Sequence, residues 1–104
     1  MFDNKQNCID DLRGNTRSTG GWRRGLNAKY NDPRNGRSAS LLETLSGDLK
    51  HLTDEQFAEI EPYFNSPAWL SAVSLVCRQV GFKHADTMPA FIARLVSTLQ
   101  AGAA

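Results

Sequence analysis

The stretch Ser66-Pro67-Ala68-Trp69-Leu70-Ser71-Ala72-Val73-Ser74-Leu75-Val76-Cys77-Arg78-Gln79-Val80-Gly81 decides the fold of this chain. Ser66 is a suitable helix cap and Pro67 fits a first turn, whereas Gly81 is typical of the position after a last turn. Between these signals the apolar residues lie nearly all round a helix, a pattern that indicates burial on several sides. We therefore predict a central helix over residues 66–80.

The segment before it contains two more helix patterns. One is a row of leucines at helical spacing, formed by Leu41, Leu42, Leu45, Leu49 and Leu52. This row predicts a helix over residues 39–51. The other begins at Thr53-Asp54-Glu55-Gln56, which has the form of a capping box, in which the first and fourth residues each bond the other's backbone amide. It predicts a helix over residues 53–64.

The end of the chain predicts a fourth helix, over residues 87–101. Pro89 is placed in its first turn, and Phe91, Ile92 and Leu95 lie on one face. No stretch alternates with period two for long enough to indicate a strand. We therefore expect an all-α fold in which residues 39–104 form a small domain resembling a four-helix bundle.

Residues 1–38 differ from this body in composition. They contain eight Lys/Arg and four Asp/Glu, a net charge of +4, whereas residues 39–104 contain four and seven, a net charge of −3. Glycine and asparagine are frequent and apolar residues are sparse, which favours a flexible basic arm. Trp22, Leu26 and Tyr30 recur at four-residue spacing, so a short helix near residues 22–29 is expected to dock the second half of the arm.

Membrane insertion and export are not indicated by the sequence. The apolar runs are too short to cross a bilayer, and the first residues lack the apolar core of a signal peptide. We expect a cytoplasmic protein, in which Cys8 and Cys77 stay reduced. Cys77 lies inside an apolar helical pattern and is interpreted as a core residue.

No set of residues predicts catalysis, a metal site or a cofactor. His84 and Asp86 are the closest pair of metal-ligating types, and two ligands in one loop do not make a site. His51 is distant in sequence, and neither cysteine has a histidine at a suggestive spacing. We expect a protein that is not an enzyme and has no small-molecule substrate.

Two features could serve nucleic-acid binding, although the basic segment can equally be read as a solvated leader, because four acidic residues dilute its charge. The arm could supply phosphate contacts, with Trp22 and Tyr30 for base stacking, through Arg13, Arg17, Arg23, Arg24, Lys29, Arg34 and Arg37. Residues 76–82, Val-Cys-Arg-Gln-Val-Gly-Phe, resemble the first helix and glycine turn of the helix-turn-helix in bacterial transcription regulators, which is in keeping with a bacterial or phage origin. That motif has a turn of about three or four residues. Here Pro89 delays the start of the next helix to about Thr87, so the connection is longer than the motif's turn. Nucleic-acid binding is the alternative interpretation.

The favoured interpretation is a non-enzymatic helical protein that acts by binding another protein or a second copy of itself. The chain has more large apolar groups than four short helices easily bury. We expect an exposed cluster that marks an interface, formed by Tyr63, Phe64, Trp69 and Phe82.

Overall fold

The computed structural model describes residues 4–102, and every regular element in that range is helical. The α-helices are α1 (Asn4–Tyr30), α2 (Pro33–Asp48), α3 (Asp54–Ile60), α4 (Trp69–Gln79) and α5 (Met88–Gly102). Short 3₁₀ segments, Leu49–His51 and Glu61–Tyr63, continue α2 and α3. The predicted all-α class is confirmed.

The local signals in the second half of the chain form as expected. The Thr53 hydroxyl accepts a hydrogen bond from the Gln56 amide at 3.0 Å, and the Gln56 side chain accepts one from the Thr53 amide at 2.9 Å. The exception is Ser66, the expected cap of the central helix: it accepts from the Ala68 amide at 3.1 Å in a turn before the helix, and α4 begins at Trp69 with Ala68 at its N-cap. The last helix begins at Met88, next to the expected Thr87.

The prediction of a flexible arm is wrong for residues 4–38, and the first three residues of that arm lie outside the described part. The segment forms α1 and the first third of α2. One stripe of α1 is buried, and it consists of Cys8, Ile9, Leu12, Thr16 and Gly20. Thr and Gly contribute no apolar signal, so this four-residue spacing is not visible as a hydrophobic pattern. Burial against α2 outweighs the low helix propensity of the glycines.

A two-residue turn joins α1 to α2 and makes them an antiparallel hairpin. Asn31 takes the left-handed backbone conformation, with φ of 52°. Asp32 caps α2 by accepting from the Arg34 amide at 3.0 Å, and Pro33 occupies the first turn. At Gly20 the two helices come close, since a Cβ there would lie 3.6 Å from Leu42 Cβ and 3.8 Å from the Ala39 carbonyl oxygen.

The core lies between α1, α2, α4 and α5, and it also includes buried side chains of α3 and of the 3₁₀ extension of α2. Leu12, Leu49, Val76, Phe91 and Leu95 are among its fully buried side chains. The helix α4 buries one face only, in contrast to the central position predicted for it. Its opposite face, described below, is open to solvent.

If α1 is a helix as described, alanine at its open glycines stabilises the protein. A Cβ at Gly14, Gly21 or Gly25 would meet nothing within 4 Å. Each Gly→Ala change is expected to raise the free energy of unfolding by about 0.5–1 kcal/mol, because alanine is the better helix former. Urea unfolding of Gly14→Ala, Gly21→Ala and Gly25→Ala measures this.

The matched control is Gly20→Leu. Atoms beyond its Cβ would enter the α1–α2 contact and lower the free energy of unfolding by about 1–3 kcal/mol. Equal and negligible effects at all four glycines would show that this segment is not a packed helix.

Candidate interaction surface

The solvent-facing side of α4 is a strip formed by Leu70, Ser71, Ser74, Leu75 and Arg78. At 100° per residue these positions share one arc of the helix, opposite the face that enters the core. Leu70 is 63% exposed and Leu75 is 40% exposed. Because no described element covers these leucines, the strip is an unpartnered helix face.

An open groove of about 400 Å³ runs along one side of this strip, between α1 and α4. Trp22, which is 48% exposed, forms its apolar wall, and Arg78 brings a positive charge. The remaining lining is small and polar, contributed by Asn15, Ser18, Thr19 and Ser74. Aromatic, hydroxyl and guanidinium groups therefore line this one accessible groove.

A second, smaller groove follows the other side of the strip, between α4 and α5. Its volume is about 150 Å³, and it is lined by Ala68, Ser71, Ala72, Leu75, Thr98 and Gly102. These residues are mostly small and apolar, so a partner could approach the backbone of α4 closely on this side.

Arg23 organises the aromatic groups at the C-terminal end of α4. Its guanidinium carbon lies 4.6 Å from the centre of the Trp22 ring and 4.7 Å from that of Phe82. It donates to Asn35 Oδ1 at 2.9 Å and to the Arg78 carbonyl at 2.7 Å. Burial, and then the charge of Arg78, lowers the pKa of Arg23, which nevertheless stays charged at neutral pH. Trp22 and Phe82 are thus held at the surface by one cation.

The C-terminal end of α4 is rich in positive charge. Arg37 donates to the Gly81 carbonyl at 2.9 Å and Arg94 to Gln79 Oε1 at 2.9 Å, while Arg78 and Lys83 are exposed. Asp86 brings a negative charge to this group: it accepts from the Gly81 amide at 2.7 Å and pairs with Arg37. The helix C-terminus offsets about half a unit charge, so a positive excess is left.

The predicted cluster of exposed aromatic residues is wrong at Trp69. Trp69 is only 5% exposed, because its indole packs edge-on against Phe64 and donates to Asp11 Oδ2 at 2.7 Å. Tyr63 and Phe64 are half-buried against the core, and only Phe82 is exposed. The expected docking through Trp22 is wrong too, since Trp22 lies at the surface of α1.

Most of the cations predicted to contact nucleic acid make bonds within the protein. Arg13 and Arg17 donate to the backbone carbonyl and hydroxyl of Ser46. Arg24 pairs with Glu43 and Arg34 with Asp32, while Lys29 lies over the Tyr30 ring. Together with Arg23 and Arg37, they lie on two packed helices, not on a free arm.

The remaining chemistry-bearing residues are dispersed. Asp86 stabilises the turn at Gly81, and His84 is exposed with a left-handed φ of 62°. Burial raises the pKa of both the Cys8 and Cys77 thiols to about 12, so neither is a thiolate at neutral pH. Among residues 4–102 no cluster of three or more His, Cys, Asp or Glu could hold a metal ion.

The resemblance of residues 76–82 to a helix-turn-helix does not extend to the turn, as the position of Pro89 indicates. Residues 80–87 separate α4 from α5, and this connection is longer than the usual three or four residues.

None of the helices in residues 4–102 combines the length and apolar character needed to cross a membrane. Comparisons with protein-family models, curated proteins and solved structures find no match for this chain.

Fluorescence quenching distinguishes the two tryptophans. Their exposed fractions are 48% for Trp22 and 5% for Trp69, so acrylamide should quench mainly Trp22. The Trp22→Phe variant is expected to emit at shorter wavelength and to lose most of the quenchable emission, with unchanged helicity by circular dichroism. Emission from this variant that is quenched as strongly as that of the wild type would contradict the packing of Trp69.

Proposed function

We propose that this chain is a non-enzymatic helical module that binds another protein through the outer strip of α4. One observation carries the proposal. Among the described residues five large apolar side chains are exposed, and four of them surround α4: Trp22, Leu70, Leu75 and Phe82. Clustered exposed apolar groups, with aromatic residues at their edge, are typical of protein interfaces.

The lining of both grooves supports a binding role over an enzymatic one. Its described residues supply hydroxyl, amide, indole and guanidinium groups, without a carboxylate, imidazole or thiol. A serine or threonine needs a nearby base to act as a nucleophile, and the lining offers none. Both grooves are open to solvent, which suits the side chains of a partner surface.

The same observations favour protein over nucleic acid as the partner. Leu70 and Leu75 gain most from burial against apolar groups, whereas binding to a duplex depends mainly on cations free to contact phosphates. Five of the seven basic residues predicted to contact phosphates donate hydrogen bonds to more distant parts of the protein, and these are Arg13, Arg17, Arg23, Arg24 and Arg37. Nucleic-acid binding stays the alternative, and the experiment below detects it.

Site-specific photocrosslinking in the native host tests the proposal. Benzoylphenylalanine in place of Leu75 is expected to capture one discrete protein, because this position lies on the proposed surface. The matched control has the same group in place of Thr44, an exposed residue of α2. The Leu75 adduct should also diminish when Leu70 is changed to Gln.

Three outcomes separate the alternatives. A protein adduct at position 75 that is absent at position 44 supports the proposal. A nuclease-sensitive adduct would contradict it in favour of nucleic acid. Equal labelling at both positions, or none at position 75, would show that the α4 strip is an ordinary solvated surface.

A further inference from the structure

We propose that the segment bound by the α4 strip is an acidic amphipathic helix from a different protein. This inference rests on the proposed protein-binding function and identifies its partner by chemistry. It requires three features of the strip to agree: room for a helix, an apolar half and an unneutralised positive half.

Room for a helix is provided by the small residues of the strip. Ser71 and Ser74 lie between Leu70 and Leu75, and a groove follows each side of α4. Small residues flanked by grooves let the ridges of a second helix approach closely. The exposed leucines then contact apolar side chains of the incoming helix.

The positive half lies at the C-terminal end of the strip. Arg37 pairs with Asp86 and Arg94 is bonded to Gln79, so their donors are partly satisfied. Arg78 and Lys83 have exposed side chains, and within residues 4–102 neither has an ion-pair partner. Asp or Glu side chains of a partner would supply the missing counter-charges and orient the bound helix.

A second copy of the chain does not supply these counter-charges. In an antiparallel pairing of two α4 helices centred on Ser74, Arg78 would face Leu70 and Ser71 of the other copy. In a parallel pairing Arg78 would face its own equivalent. In both arrangements Arg78 would be covered without a carboxylate to pair with, and burying an unpaired charge is costly. The charge pattern therefore favours a different, acidic protein.

Selection from a displayed library tests the inference and does not require the partner to be identified. Random peptides of about 16 residues, enough for about four helical turns, are selected on the full chain and on its Arg78→Glu variant. Asp and Glu are expected to be enriched among peptides selected on the wild type, on the face next to an apolar stripe. This enrichment of Asp and Glu should be absent among the peptides selected on the Arg78→Glu variant.

Affinities of the selected peptides provide the quantitative readout. Arg78→Glu should weaken binding by about tenfold, the value of one well-placed charge interaction. Lys50→Glu makes the same change in net charge at an exposed residue outside the strip, and should weaken binding by less than about twofold. Circular dichroism of both variants verifies that they are folded.

The failures of the two proposals are distinguishable. Selected peptides without acidic enrichment, a failed selection, or equal effects of Arg78→Glu and Lys50→Glu would overturn the acidic helix. Tighter binding of a labelled oligodeoxythymidine with the same dependence on Arg78 would overturn it in favour of nucleic acid. If position 75 still crosslinks one protein while the selection shows no acidic preference, only the partner chemistry is wrong.

Discussion

The close contact of α1 with α2 is the constraint on which the rest of the structure depends. At Gly20 the two helices are so near that a Cβ would already be in van der Waals contact with Leu42 and with the Ala39 carbonyl. The same buried stripe of α1 includes Leu12, which lies in the core formed with α4 and α5. Without the contact with α2, α1 would lose its main reason to be helical, because its open glycines disfavour a helix that is not packed.

The α1–α2 hairpin also completes the hydrogen bonding at the end of α4. The last carbonyl groups of a helix have no partners within that helix. Here Arg23 donates to the carbonyl of Arg78, Ser38 to that of Val80 at 2.7 Å, and Arg37 to that of Gly81. The cations of the N-terminal segment therefore have a structural role, and one of them holds Trp22 and Phe82 at the surface beside the α4 strip.

Much of the second half of the fold was predictable because its signals are local. The capping box at Thr53 and the leucine spacing each depend on neighbours within a turn or two. The N-terminal helix was not predictable in this way, since its inward stripe ends in Thr16 and Gly20, which mark a helix only when α2 lies against them. Trp22 and Tyr30 gave the stronger apolar signal, and it indicated the wrong face.

The proposed site shows the same limit. The prediction that surplus apolar groups mark an interface named Phe82, which is exposed, and Trp69, which is not. Trp69 packs in the core, where Asp11, far away in sequence, accepts its indole hydrogen bond. Leu70 and Leu75 are exposed because no element within residues 4–102 packs on the outer side of α4, and only the tertiary arrangement reveals this.

Hydrogen–deuterium exchange over residues 4–30 tests the central claim, that the N-terminal segment is a helix packed on α2. Slow exchange is predicted around Leu12, Thr16 and Gly20, with protection approaching that of α4 and α5, because these amides open only when the hairpin separates. Exchange in this segment at the rate of an unstructured peptide, while α4 and α5 stay protected, would contradict the account.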